Sequence, residues 1–245
     1  MLFLQNSAKQ IRDYNDTSKK EKNNMKEDDR LFSKSIKDVK ELEQLYNKSI
    51  TDVVEKVKTF HNHAIHPSIK CYVIGNGPSR KGLDLHSITR TYKNSKIPKK
   101  SFVIGCNYLY REFEPDLLIA QDTKVIFDMV KDNVEIPVIA PLLKYNWAKH
   151  NGNAELKNFY ALRFPSFAMT RWNSGDIALY LACILGFHSI EYIGFDGGKS
   201  SIYREDDGVS FVRSVTTNQR ITALKNSFDE VKINSYEDKL NSPSL

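Results

Sequence analysis

Residues 70–79 read KCYVIGNGPS, and this stretch decides the fold. Cys71, Tyr72, Val73 and Ile74 form a short apolar, β-prone run that stops at Gly75, Asn76, Gly77, Pro78 and Ser79. An apolar run closed by turn residues predicts a buried strand entering a tight loop. The two glycines let the backbone approach a ligand closely and present its N–H groups. The proline ends the strand and presets φ for the turn. In an open α/β sheet, the loop at the carboxyl end of the first strand is where a nucleotide phosphate sits. The pattern is not the dinucleotide fingerprint GxGxxG, because the third glycine is replaced by Arg80.

Working outward, further strands are predicted over 102–106, 117–120, 138–140, 160–162, 190–193 and 231–233. Helices are predicted over 124–131, 176–187 and roughly 216–228. Strands alternating with helices imply an α/β class: a Rossmann-like, mostly parallel sheet with helices on both faces. The expected domain division is a charged helical arm over 1–68 and a Rossmann-like nucleotide-binding transferase domain over 69–245. The arm contains no glycine and one proline, Pro67. Its apolar residues (Ile36, Val39, Leu42, Leu45, Tyr46, Ile50, Val53, Val54, Val57, Phe60) recur at helical spacing, which predicts one amphipathic helix or a helical hairpin. Residues 5–30 are polar enough to stay unfolded. The arm is expected to serve as a packing or homo-oligomerisation helix, with membrane-surface association or partner binding as the alternative. His61, His63 and His66 close it and are expected to complement a helix end rather than to bind metal.

Composition narrows the function classes. With 40% hydrophobic and 11% aromatic residues the chain can bury a full core. Its mean hydropathy of −0.48 and the lack of an apolar run of about 20 residues argue against a membrane span. Only Met1, Leu2, Phe3 and Leu4 precede the first polar residues, too short a stretch for a signal peptide, so the chain is expected to be cytoplasmic. The net charge of +6 suits a protein that handles anionic substrates. No basic stripe interleaved with aromatics is present, so nucleic acid is not an expected partner. Cys71, Cys106 and Cys183 lie in apolar runs without a CxxC pair and are expected to be buried, neither bridged nor metal-bound.

Four segments place polar residues just after a predicted strand: the Gly75 loop; Gly105, Cys106, Asn107 and Tyr108; Gln121 and Asp122; and Gly194, Phe195 and Asp196. A fifth, Asn173-Ser174-Gly175-Asp176, opens an apolar helix whose N-terminus can hold an anion, with Asn173 or Ser174 as its cap. Asn76 and Asn107 could bridge ribose and phosphate oxygens, since an amide both donates and accepts. Asp122 and Asp196 could bind a metal, accept from a ribose, or act as a base.

Three features together, GNGPS after the first strand, GCN after the second and NSG opening the helix that runs into LGFHSIEYIGFD, resemble bacterial CMP-sialic-acid-dependent sialyltransferases. They equally resemble the wider group that contains motility-accessory-factor glycosyltransferases and hydroxymethylpterin diphosphokinases. PDLLIAQD, residues 115–122, resembles that group's P-D-x-x-x-x-x-D. The resemblance covers residues 70–240. It implies a glycosyltransferase moving a nonulosonic-acid-type sugar from a nucleotide donor such as a CMP-sugar to a glycan acceptor, with no required cofactor. It also implies that Gly75, Asn76, Gly77, Pro78 and Ser79 surround the nucleotide phosphate and ribose, and that Asn107 contacts sugar or phosphate. Asn173, Ser174 and Gly175 would bind the donor's carboxylate or cytidine side, and Tyr203 would hydrogen-bond the donor phosphate as the leaving group departs. One departure stands out. The sialyltransferases use a histidine base beyond the last motif, and no histidine follows His188 here. Asp122 or Asp196 would replace it only with a pKa raised by burial. The alternatives are a Mg²⁺-dependent diphosphokinase using ATP, with Asp122 and Asp196 as metal ligands, and a non-catalytic nucleotide-binding module.

Overall fold

A computed structural model describes residues 39–61, 65–89, 101–151, 156–163, 172–196, 202–203 and 211–240. Its centre is a seven-stranded sheet formed by β1 (Lys70–Ile74), β2 (Ser101–Cys106), β3 (Leu117–Ile119), β4 (Val138–Pro141), β5 (Phe159–Leu162), β6 (Ser189–Ile193) and β7 (Lys232–Ser235). The strand order is β5-β4-β3-β2-β1-β6-β7, and every neighbouring pair is parallel. The chain lays down β1 to β5 in one direction, then returns to place β6 on the other side of β1. The order therefore reverses between β1 and β6, and an open α/β sheet binds its ligands at the carboxyl ends of the strands at such a point.

The strands alternate between two cores. Cys71, Val73, Phe102, Ile104, Leu117, Ile119, Ile139, Ile190 and Ile233 face one side. There they meet α1 (Val39–Phe60), α5 (Ser174–Ile184) and α6 (Phe211–Ser227). Tyr72, Ile74, Val103, Leu118, Ala120, Val138, Ala140 and Ile193 face the other. That side is covered by α2 (Leu85–Thr89), α3 (Thr123–Lys131) and α4 (Leu142–Asn151). Both faces are buried, which is why the central strands read as continuous apolar runs rather than alternating ones.

Val53, Val54 and Val57 of α1 belong to the first core, so the second half of the charged arm packs onto the sheet. Residues 31–38, which the periodicity also placed in this helix, and the polar stretch 5–30 lie outside the described residues. His61 hydrogen-bonds the backbone carbonyl of Asp116 (2.9 Å) and packs edge-on against Phe102, an anchoring role. His63 lies outside the described residues. Among the described residues no helix is long and apolar enough to cross a membrane. The three cysteines are buried and free.

Element boundaries moved where caps decide them. α5 was expected over 176–187. It starts earlier because Asn173 caps it, accepting from Asp176 N–H while the Asp176 carboxylate accepts from Asn173 N–H. It ends earlier because Gly186 takes φ +91, a left-handed stop that glycine adopts without penalty. Three helices went unread, and α2 is only five residues long. In α4 only Ala148 is fully buried, so no apolar stripe announces it, and α7 (Tyr236–Leu240) is five residues long.

Candidate functional site

The carboxyl edge of the sheet gathers almost every loop that the sequence singled out, and it joins them to one another. Gly75 N–H donates to Ile193 O (2.8 Å) and Gly77 N–H to Gly194 O (2.9 Å), so the β1 loop extends the β1–β6 ladder past the strand ends. A Cβ at Gly75 would stand 2.5 Å from Gly194 O. One at Gly77 would stand 1.8 Å from an Asp196 carboxylate oxygen. The close approach that these glycines permit is thus to the β6 loop, where Gly194 itself sits at φ +73. Ser79 donates to Asp196 Oδ2 through both its backbone N–H and its hydroxyl, each at 3.0 Å. Pro78 opens the following 3-10 turn, Pro78–Arg80, at its first position.

The second and fifth loops meet in the same way. Asn107 adopts φ +49, a left-handed conformation that asparagine tolerates, and its Oδ1 accepts from Ser174 Oγ (3.1 Å). A Cβ at Gly175 would stand 2.8 Å from the Phe195 ring, so the N-terminus of α5 is pressed against the β6 loop. Gln121 Nε2 donates to Trp172 O (2.5 Å), tying the end of β3 to the segment entering α5. Asp122 stands apart. It is exposed at the start of α3, whereas Asp196 is half-buried. In the sheet β2 and β1 lie between β3 and β6, and Asp196 is turned toward the β1 loop. Among the described residues no group of three or more His, Cys, Asp or Glu side chains is arranged to hold a metal.

Several other residues near this edge have structural explanations. Asp116, the first aspartate of the PDLLIAQD stretch, accepts from Val103 N–H (2.7 Å) and fixes the start of β3 against β2. Trp147 packs edge-on against Phe127, and Trp172 against Tyr180. Burial pushes the Cys106 thiol up to about 12, which keeps it protonated.

Sequence reasoning missed the most unusual group at this edge. Arg80 was read only as the absence of a glycine, yet its side chain is 2% exposed. Its Nη2 donates to Glu112 Oε1 (2.5 Å) and to the Tyr203 hydroxyl (2.6 Å). Tyr203 also donates to Glu112 Oε1, and the Arg80 guanidinium lies 5.5 Å from the Tyr203 ring centroid. Burial and the bond to Glu112 raise the Tyr203 phenol well above its ordinary value, with Arg80 pulling the other way. Ile202 N–H donates to Asn76 O (2.9 Å), which pins Tyr203's neighbour to the β1 loop. Two buried atoms here have no partner among the described residues, Arg80 Nε and Asn76 Oδ1.

A second ion pair secures the base of the site. Asp176, fully buried, accepts from Arg220 of α6 (2.5 Å), and its other oxygen, Oδ1, has no partner among the described residues. Burial holds its carboxyl above the usual range, and Arg220 opposes this. Outside this edge, a shallow depression of about 370 Å³ lies over α1 and the outer strand β5, lined by Glu55, Lys56, Thr59, Phe60 and Tyr160.

No family model matches this sequence, and no curated protein matches it. Solved structures similar to the chain include three sialyltransferase structures. One is the sialyltransferase CST-II in complex with a trisaccharide acceptor and CMP (TM-score 0.43, 14% identity, covering 68% of this chain and 80% of that one). Another is an alpha-2,3-sialyltransferase from Campylobacter jejuni in apo form (TM-score 0.41, 15% identity, 70% and 76%). A third is CstII from the same organism with the substrate analogue CMP-3FNeuAc (TM-score 0.41, 14% identity, 68% and 79%). The fold class stands on this chain's own strand order.

Proposed function

We propose that the chain is a sialyltransferase-like glycosyltransferase that moves a nonulosonic-acid-type sugar from a CMP donor to a glycan acceptor. The observation that carries this reading is the pairing of a buried cation, Arg80, with an unpartnered buried acceptor, Asn76 Oδ1, in one loop at the point where the strand order reverses. A buried acceptor left unsatisfied costs about 1–3 kcal/mol, and a ribose hydroxyl or a base amino group would satisfy it. A phosphate supplies the negative charge that suits Arg80. The choice of a cytidine donor comes from the motif resemblance.

In the reaction, the bond between the sugar's anomeric carbon and the phosphate oxygen breaks, and its electron pair stays on the departing CMP. The acceptor oxygen bonds to the anomeric carbon and gives up its proton to the departing phosphate, whose second pKa is about 6. Tyr203 and Arg80 face the charge that develops on the leaving phosphate, the place where fixed donors contribute most to rate. Asp196, bonded twice to Ser79, keeps the β1 and β6 loops in register. The N-terminus of α5, with Asn173, Ser174 and Gly175, faces the sugar carboxylate. The reading uses no metal, its partners are the nucleotide sugar and the glycan, and residues 69–245 carry it.

The test is a thermal-shift panel of the full chain with CMP, CDP, UDP, GDP and ATP, each with and without Mg²⁺. Stabilisation by CMP in the absence of metal is expected; at 100 times the dissociation constant a ligand adds about 2.7 kcal/mol. Stabilisation by ATP with Mg²⁺ alone would replace this reading by phosphoryl transfer. A panel without any shift would leave a binding module or another ligand class.

A further inference from the structure

Two donors at the switch point converge on a single oxygen. Arg80 Nη2 and the Tyr203 hydroxyl both donate to Glu112 Oε1. The two partners of this cluster's ion pair differ sharply in exposure. The arginine side chain is 2% exposed, whereas that of Glu112 is 44% exposed. Glu112 follows the 3-10 turn Asn107–Arg111 and reaches back to the arginine from the solvent side. A guanidinium and a phenol aimed at one anionic oxygen make the donor set that a phosphoryl oxygen requires. Arg80 also has donor capacity in reserve, since its buried Nε has no partner among the described residues.

We propose that Glu112 is a resident anion on the Arg80 and Tyr203 donors, and that an incoming phosphate displaces it. This rests on the nucleotide reading only for the identity of the nucleoside. Glu112 neutralises the buried cation while the site is empty, then withdraws into water, where its exposed side chain is readily solvated. Displacement frees the Tyr203 hydroxyl, whose proton is otherwise committed to Glu112, to donate to the phosphate. The pocket therefore binds more weakly than its donors alone would allow, because the competent state is populated only when Glu112 has left.

The experiment measures binding of CMP, inorganic phosphate and cytidine to the full chain by calorimetry, in the wild type and in Glu112→Gln, Glu114→Gln and Arg80→Met. Glu112→Gln is expected to tighten CMP and phosphate by about five- to tenfold, the gain from removing a competitor that holds the site most of the time, and to leave cytidine unchanged. Glu114→Gln, which removes the same charge two residues away, is expected to change either by less than about twofold. Arg80→Met is expected to bind CMP no better than cytidine. Equal effects of the two glutamate changes would mean a general charge effect and would overturn the proposal, as would an Arg80→Met protein that keeps its preference for CMP. A thermal melt establishes that Arg80→Met is folded, and the Glu112→Gln arm decides the matter even where it is not. Tightening of inorganic phosphate by Glu112→Gln, without any preference for CMP over phosphate, would sustain the pocket and reject the cytidine donor.

Discussion

Two arginine–carboxylate pairs lie at the same edge of the sheet, each closed at 2.5 Å, and they are buried in opposite senses. In the Asp176–Arg220 pair the carboxylate is 0% exposed and the arginine 18%. In the Arg80–Glu112 pair the arginine is 2% exposed and the carboxylate 44%. Asp176 is further held by the capping box of α5, so this pair locks helix to helix and its acid cannot leave. Glu112 has no such tie, and a phosphate arriving at Arg80 would replace the charge it withdraws. The lesson is that pair geometry alone does not reveal a role. The partner that can be exchanged for a ligand is the one already half in water.

The comparison can be broken first at the lock. Arg220→Met leaves a buried carboxylate without its cation and is expected to cost about 3–5 kcal/mol, read from urea unfolding. The deficit depends on pH. The folded-state pKa of Asp176 is raised, mainly by burial. The native state therefore holds this proton to higher pH than the unfolded chain, and the stability it contributes is lost as pH rises through the folded value. Losing Arg220 raises that value further, so the deficit should be larger at pH 7 than at pH 4.5. Equal deficits at both would mean that Asp176 does not titrate in this way.

Next in size is the seam between the loops. Gly77→Ala drives a methyl group against Asp196 and against Gly194 O, 2.6 Å from the added Cβ. The carboxylate can swing aside but the carbonyl is backbone, so a loss of about 1–3 kcal/mol is expected, as for overpacking elsewhere. A melt unchanged from wild type would show that the β1 and β6 loops are not pressed together.

Arg80→Met sharpens the contrast, because it removes the same residue type with a smaller effect on folding. Its partner is half exposed, so no buried charge is left behind, and the change is expected to cost less than Arg220→Met while abolishing the preference for a phosphorylated nucleoside. The smallest effect is reserved for the neighbouring surface cluster. There Asp132 accepts from Tyr110 (2.6 Å) and Arg111 (3.0 Å), and these bonds hold its carboxyl below the usual range. Asp132→Asn is expected to cost about 0.2–0.5 kcal/mol, typical of an exposed pair, and to leave CMP binding alone.

The same contrast marks what the sequence could announce. The parallel sheet is legible because strands buried on both faces read as apolar runs, as 71–74 and 102–106 do. The loops at the edge are legible because glycine, asparagine and proline directly after such runs leave few other readings. Arg80 is not legible. An arginine in a polar turn looks like a solvated charge, and only the closing of the fold gives it Glu112, 32 residues away, and Tyr203, 123 residues away. Glu237, which accepts from both Ser79 and Gly194 N–H, is 158 residues from that serine and carries no local signal. The glycines were legible as sites of close approach, but what approaches Gly75 and Gly77 is the β6 loop. Periodicity and turn chemistry speak about near neighbours in the chain, and a side chain's partners are set by distant ones.

The central claim is that the buried arginine at the strand-order reversal belongs to a phosphate. Calorimetric titration of the full chain with CMP and with cytidine, in wild type and in Arg80→Met, tests it most directly. The account predicts that CMP binds the wild type at least about tenfold more tightly than cytidine, the difference expected from one charge-assisted contact, and that Arg80→Met erases the difference. Equal binding of the two ligands by the wild type, or a difference that survives in Arg80→Met, would contradict it.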